Sequence, residues 1–244
     1  MVFVTGTGSS AIFDSCTLTT NSATNYGGVA VVENSGSAIF TSCTITKNSA
    51  TFSGGVARIQ SSGSTVFTRC ILTYNTAKHG GVAYFGSIGS SAIFNSCILT
   101  ENSASFEGGV AVVGYTGSSM IFTNCTLTKN SAAQYGGVAI VQSSSSAAFT
   151  SCTFTENSAT ITGGVALVQS SGSAIFTSCN LTKNTAGNDG GVTFVQTSGS
   201  AAFDGCVLTE NTAKDGGVAS VRNSGSAAIF TDCSLTENSA TDVS

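Results

Sequence analysis

The polar and apolar positions of this chain form one pattern, repeated nine times at a step of 27 residues with a single step of 28. One repeat runs from Gly28 to Gly54. Val29–Val32 is a short β-branched run, Glu33–Gly36 a turn, Ser37–Phe40 a second apolar run, and Thr41–Ser42 a tight corner. Cys43–Lys47 is a third run and Asn48–Gly54 the longest turn. Short β-rich runs bounded by Gly, Ser and Asn predict strands and turns. No stretch carries a helical period. A strict period of this length predicts a solenoid, because one repeat cannot bury a core alone and stacked repeats can.

Three columns hold their phase through all nine repeats. The first is Phe13, Phe40, Phe67, Phe94, Phe122, Phe149, Phe176, Phe203 and Phe230. Three residues later come Cys16, Cys43, Cys70, Cys97, Cys125, Cys152, Cys179, Cys206 and Cys233. Five residues further stand Asn21, Asn48, Asn75, Asn102, Asn130, Asn157, Asn184, Asn211 and Asn238. Strand parity turns Cys43 and Ile45 inward and Thr44 and Thr46 outward. Each buried Phe contributes roughly 1.5–3 kcal/mol, so the Phe column predicts the main apolar rib. Stacked Asn amides at a corner would hydrogen-bond from coil to coil.

A leucine-rich repeat shares the F-x-x-C-x-L-x-x-N spacing, but its convex side needs a helical segment. Here that segment is β-branched and rich in Gly and Ser. The reading is therefore an all-β, three-sided parallel β-helix, one domain over residues 1–244, with nine coils of about 27 residues, three short strands per coil and no evident caps.

Composition narrows the function. Charged residues are 8% of the chain and the net charge is −4, whereas a nucleic-acid partner calls for a basic face. No apolar run reaches the length of a membrane span. The nine cysteines cannot all pair within one chain. Their fixed phase predicts a column of buried thiols, since cysteine packs as a small hydrophobe. There is no CxxC and one histidine, His79, so no metal or other cofactor is expected.

Outward columns offer candidate surfaces. The column from Thr19 to Thr236 is threonine in every coil. It suits a solvated strand, with ice binding or O-glycosylation as sharper alternatives. The next column alternates in sign from Glu101 through Lys129, Glu156 and Lys183 to Glu210, which predicts a ladder of ion pairs. On the first strand, Val31, Tyr84, Val112, Ile140, Leu167 and Phe194 form an apolar stripe. Either the stripe is a lateral interface, or the strand is rotated or covered by the long turn. Asn124 and Asn180 head N-glycosylation acceptor patterns. Two pairs in adjacent coils, Asp189 with Asp215 and His79 with Glu107, have the residue types for acid–base work. No catalytic residue is assigned to them.

The segment from Phe154 through Asn157 and Gly163-Gly164 to Ala166 resembles the F-x-x-N and G-G-A-[ILV] repeats of chlamydial polymorphic outer membrane proteins. The resemblance extends over essentially the whole chain, with Leu or Ile usually in place of the Phe. It implies a right-handed, pectin-lyase-like β-helix and an extracellular or cell-surface, adhesin-like role.

Ser244 falls in the phase of the first paired glycine and Met1 in that of the second. This predicts a head-to-tail interface between Ser244 and Met1. The expectation is a non-enzymatic structural protein, a β-helical filament or surface fibre assembled from copies of itself, with lateral pairing as a further mode. A surface adhesin that binds glycans or a receptor is the alternative, and a polysaccharide-active enzyme is a further one.

Overall fold

The computed structural model describes residues 1–242. Four parallel sheets of nine strands each build the chain, and every strand pairs with its equivalents one coil away. The coil around Phe149 has strands Ala139–Val141, Ser146–Thr150, Thr153–Thr155 and Ser158–Ala159. The sheets are called first to fourth in that order.

The expected three strands per coil are thus four. The fourth is a Ser–Ala or Thr–Ala strand just after the Asn column, inside what the sequence presents as the longest turn. It forms because the Asn column fixes the chain there in register, so that Ser131 pairs with Ser158 and Ala132 with Ala159. Buried alanines at this phase, such as Ala50 and Ala77, pack together as a small cluster.

The interior follows the predicted columns. Phe40, Phe67, Phe94, Phe122, Phe149, Phe176 and Phe203 are buried. Their rings stack nearly parallel, with centroids 4.7 Å apart for Phe40–Phe67 and 4.3 Å for Phe94–Phe122. Cys43 to Cys206 are buried free thiols, and Cys16 and Cys233 are half-buried. The thiol of Cys97 donates to the carbonyl oxygen of Phe67 at 3.4 Å. Cys43, Cys70, Cys125, Cys179 and Cys206 likewise donate to a Phe carbonyl of the preceding coil, whereas Cys152 meets only the carbonyl oxygen of Thr150 in its own coil.

Corners hold the coil closed. The residue before each Cys takes a left-handed conformation, with φ of 51° at Ser42 and 53° at Ser151. So does the residue before each Asn, with φ of 54° at Lys129 and 56° at Glu156. The charged column thus lies on a corner and not at the end of the third strand. There Lys129 pairs with Glu156 at 3.7 Å and Lys183 with Glu210 at 3.5 Å. The expected continuous ladder is broken into separate exposed pairs, each of which contributes little.

The paired glycines have two different reasons. Gly136 has φ of 62°, a region that side chains disfavour. Gly137 lies so close to the next coil that an added Cβ would run into the carbonyl oxygens of Gly164 and Ser158.

Candidate functional site

A groove runs along the outer face of the first sheet. Its floor is the apolar stripe. Val112, Ile140, Leu167 and Phe194 are buried there as a cluster of their own, with Tyr84 and Tyr135 packed against it. Val31 is buried as well. The stripe is therefore a second internal core and not an open lateral face. The reason lies in the long turn, whose residues before the paired glycines bridge coil to coil in parallel: Tyr26 to Ser53, Ser53 to His79, Glu107 to Tyr135, and on to Asp215. This hydrogen-bonded line brings Tyr135 over the strand. Burial, the largest cause, pushes the Tyr84 hydroxyl up to about 12.

The groove has two polar walls. One is the bridged line that carries His79, Glu107, Tyr135, Thr162, Asp189 and Asp215. The other is a run of glutamines. Gln196 donates to Gln169 at 2.8 Å and Gln169 to Gln142 at 2.7 Å. Arg222 takes the phase of Gln196 in the next coil. The glutamine run escaped the sequence reading, although V-Q recurs at one phase in Val141-Gln142, Val168-Gln169 and Val195-Gln196. A recess of 450 Å³ lies between these walls, lined by Tyr135, Thr162, Gln169, Asp189, Gln196 and Arg222 among others. The hydroxyl of Thr162 is buried there without a hydrogen-bond partner. A second recess of 690 Å³ opens in the first coils, beside Tyr26, Val31, Arg58 and Gln60.

Both acid–base pairs expected from phase are close in space. Arg222 makes ion pairs with Asp189 and, at 3.0 Å, with Asp215. Ser220 donates its hydroxyl to Asp189 at 3.0 Å. Both carboxylates are thereby held by one guanidinium. Nδ1 of His79 meets Oε1 of Glu107 at 3.0 Å. Around this pair runs a string of aromatic contacts: Phe52 to His79 at 5.5 Å, His79 to Phe106 at 5.3 Å, and Phe106 to Tyr135 at 5.8 Å. Lys78 lies 5.3 Å above the Phe52 ring and the Arg58 guanidinium 3.7 Å above Tyr26. Among the described residues, no group of three or more His, Cys, Asp or Glu is placed to hold a metal ion. No helix among them is long and apolar enough to cross a membrane.

The second sheet shows a feature the sequence reading passed over. Between the buried Ala and Phe columns, the outward position is Ile39, Val66, Ile93, Ile121, Ala148, Ile175 and Ala202 in successive coils. Ile93, Ile121 and Ile175 are exposed. Asn124, at a corner with φ of 53°, and Asn180, on the third sheet, are both exposed. The acceptor side chains are thus open to solvent. Met1 lies in the first coil and is 70% exposed. Ser244, its expected head-to-tail counterpart, lies outside the described residues.

The four sheets and their internal ladders define a parallel β-solenoid. The family model for the right-handed β-helix region matches residues 108–243, and the chain belongs to that family. No curated protein and no solved structure matches the chain.

Proposed function

We propose that the chain is a non-enzymatic structural rod of an extracellular or cell-surface fibre, extended by end-to-end stacking of coils. The observation that carries this reading is the unbroken stack: four parallel sheets keep one register through nine coils, tied coil to coil by the buried Asn ladder. Each coil therefore templates the next, and coils of a second copy would continue the same ladders head to tail. Contacts of this head-to-tail kind grow into open filaments. The ion pairs of Arg222 with Asp189 and Asp215 support the non-enzymatic part, because they engage the carboxylates that acid–base chemistry would use. The surface location rests on the resemblance of the repeats to polymorphic outer membrane proteins.

Electron cryomicroscopy across a concentration series tests it. The expected result is filaments with an axial repeat of nine coil rises, about 43 Å at parallel-strand spacing. Single rods at every concentration would overturn it. They would favour a second reading, a surface binding module that uses the groove with its aromatic, glutamine and carboxylate lining.

A further inference from the structure

The outward stripe of the second sheet is an apolar feature open to solvent, with Ile12, Ile93, Ile121, Ile175 and Ile229 exposed. It runs through nine strands in unbroken register, about 38 Å at strand spacing. Serine borders it on one side in most coils, and Thr, Asn or Asp on the other. Its side chains are not uniform. Ile is replaced by Ala at two places, Ala148 and Ala202.

We infer that this face is a two-fold interface between two copies of the chain, stacked sheet to sheet with their solenoid axes antiparallel. The arrangement turns about the central residue Ile121, which meets its own equivalent. It sets Ile93 against the second copy's Ala148, and Ile39 against its Ala202. Each missing side chain then faces a large one, and facing sheets interdigitate this way at about 10 Å separation. With the axes parallel, alanine would face alanine and leave two gaps. Charge does not choose between the two arrangements. The two-fold brings Asp204 opposite Thr41, one coil from the exposed corner residue Arg69 of the other copy, but it also brings Asp14 opposite Thr231, beside Asp232.

Nine strands of five residues offer about 500 Å² per copy, which brings the total near the 1,000 Å² that specific interfaces must reach. The dimer should therefore be reversible. It requires no end-to-end stacking, so it stands or falls separately from the filament. A lateral dimer stops at two copies, whereas end-to-end stacking continues, and sedimentation separates the two.

Sedimentation equilibrium of the wild type should show a monomer–dimer step with rising concentration. Ile121→Lys sets two ammonium groups against each other and should weaken the dimer at least tenfold. At a concentration where the wild type is monomeric, its thermal midpoint should match that of the wild type, because the side chain is exposed. The double variant Ile93→Glu/Ala148→Lys sets Glu against Lys in the antiparallel arrangement only. It should dimerise at low salt and dissociate at high salt. A wild type that stays monomeric, an Ile121→Lys variant that dimerises like the wild type, or a double variant that fails to dimerise at low salt would each overturn the inference.

Discussion

Asn130 and Asn157 are joined twice across one coil boundary: the side-chain amide of Asn130 donates to Oδ1 of Asn157 at 3.0 Å, and its backbone N–H reaches the same oxygen at 3.0 Å. The amide also donates to the carbonyl oxygen of Leu99 at 2.9 Å, two coils from Asn157. One buried side chain thus ties three successive coils. Asn130→Ala should lower stability by about 2–3 kcal/mol, because it strands a buried carbonyl and a buried N–H. Asn130→Asp should cost more, since it replaces the donor with a buried charge. Urea unfolding of the two variants gives the order, and a milder effect for Asp would count against the ladder as drawn.

The glycines divide into positions that need glycine and positions that tolerate a side chain. Gly137→Ala should cost several kcal/mol or prevent folding, because its Cβ would overlap backbone oxygens of the next coil. Gly205 also has positive φ, but its surroundings are open, with Ser178 Oγ at 3.7 Å from an added Cβ. Other coils carry Ser42 or Asp232 at that phase with φ of 51° and 50°. Gly205→Ser should therefore shift stability by less than about 1 kcal/mol. Thermal melts of the two variants provide the contrast.

The thiol column predicts loss of stability in alkali. Burial pushes the Cys43 thiol above its ordinary 9.0. Hydrogen bonds between neighbouring thiols push Cys97 and Cys152 up and Cys70, Cys125 and Cys179 down, an exchange within the column, while burial pushes every one of them up. Unfolded thiols ionise near 9, while burial keeps the folded column protonated. Their contribution is complete below that pH and falls as pH rises through it. Melting temperature should hold level between about pH 6 and 8 and decline above about pH 9. A level midpoint through the alkaline range would contradict the assignment.

Arg222 holds two carboxylates of adjacent coils, one of them, Asp189, buried. Arg222→Leu should destabilise the chain by about 1–2 kcal/mol, mainly through the charge left unpaired. Adding Asp189→Asn should recover most of that loss. The double-mutant cycle, read by chemical denaturation, measures the coupling.

Phe149, Cys152 and Asn157 were legible in the sequence because a fixed period leaves inward positions no freedom to vary. The strand Ser158–Ala159 was not, since two residues carry no alternation to read. The stripe from Val112 to Phe194 was visible, but alternation cannot say whether a turn folds back over a strand. That depended on Tyr135 and its neighbours, which bridge along the turn. The break between Glu156 and Lys183 escaped for a related reason. Phase sets neighbours one coil apart, but the left-handed corner decides how exposed side chains meet. In the groove, Asp189 and Asp215 were correctly brought together by phase. Their shared guanidinium was missed because Arg222 stands where the preceding coil has Gln196.

Because each Asn link spans one coil, 27 residues at every boundary but the 28 between Asn102 and Asn130, the molecule is also a mechanical device. Tension on its ends would act on one peripheral coil at a time, peeling it from the stack while the coils behind it keep their ladders. Each coil released would pay out roughly 95 Å of extended chain. A pulled rod should therefore lengthen in equal steps, recorded as a regular sawtooth by single-molecule force spectroscopy, and yield gradually where a globular domain would rupture once.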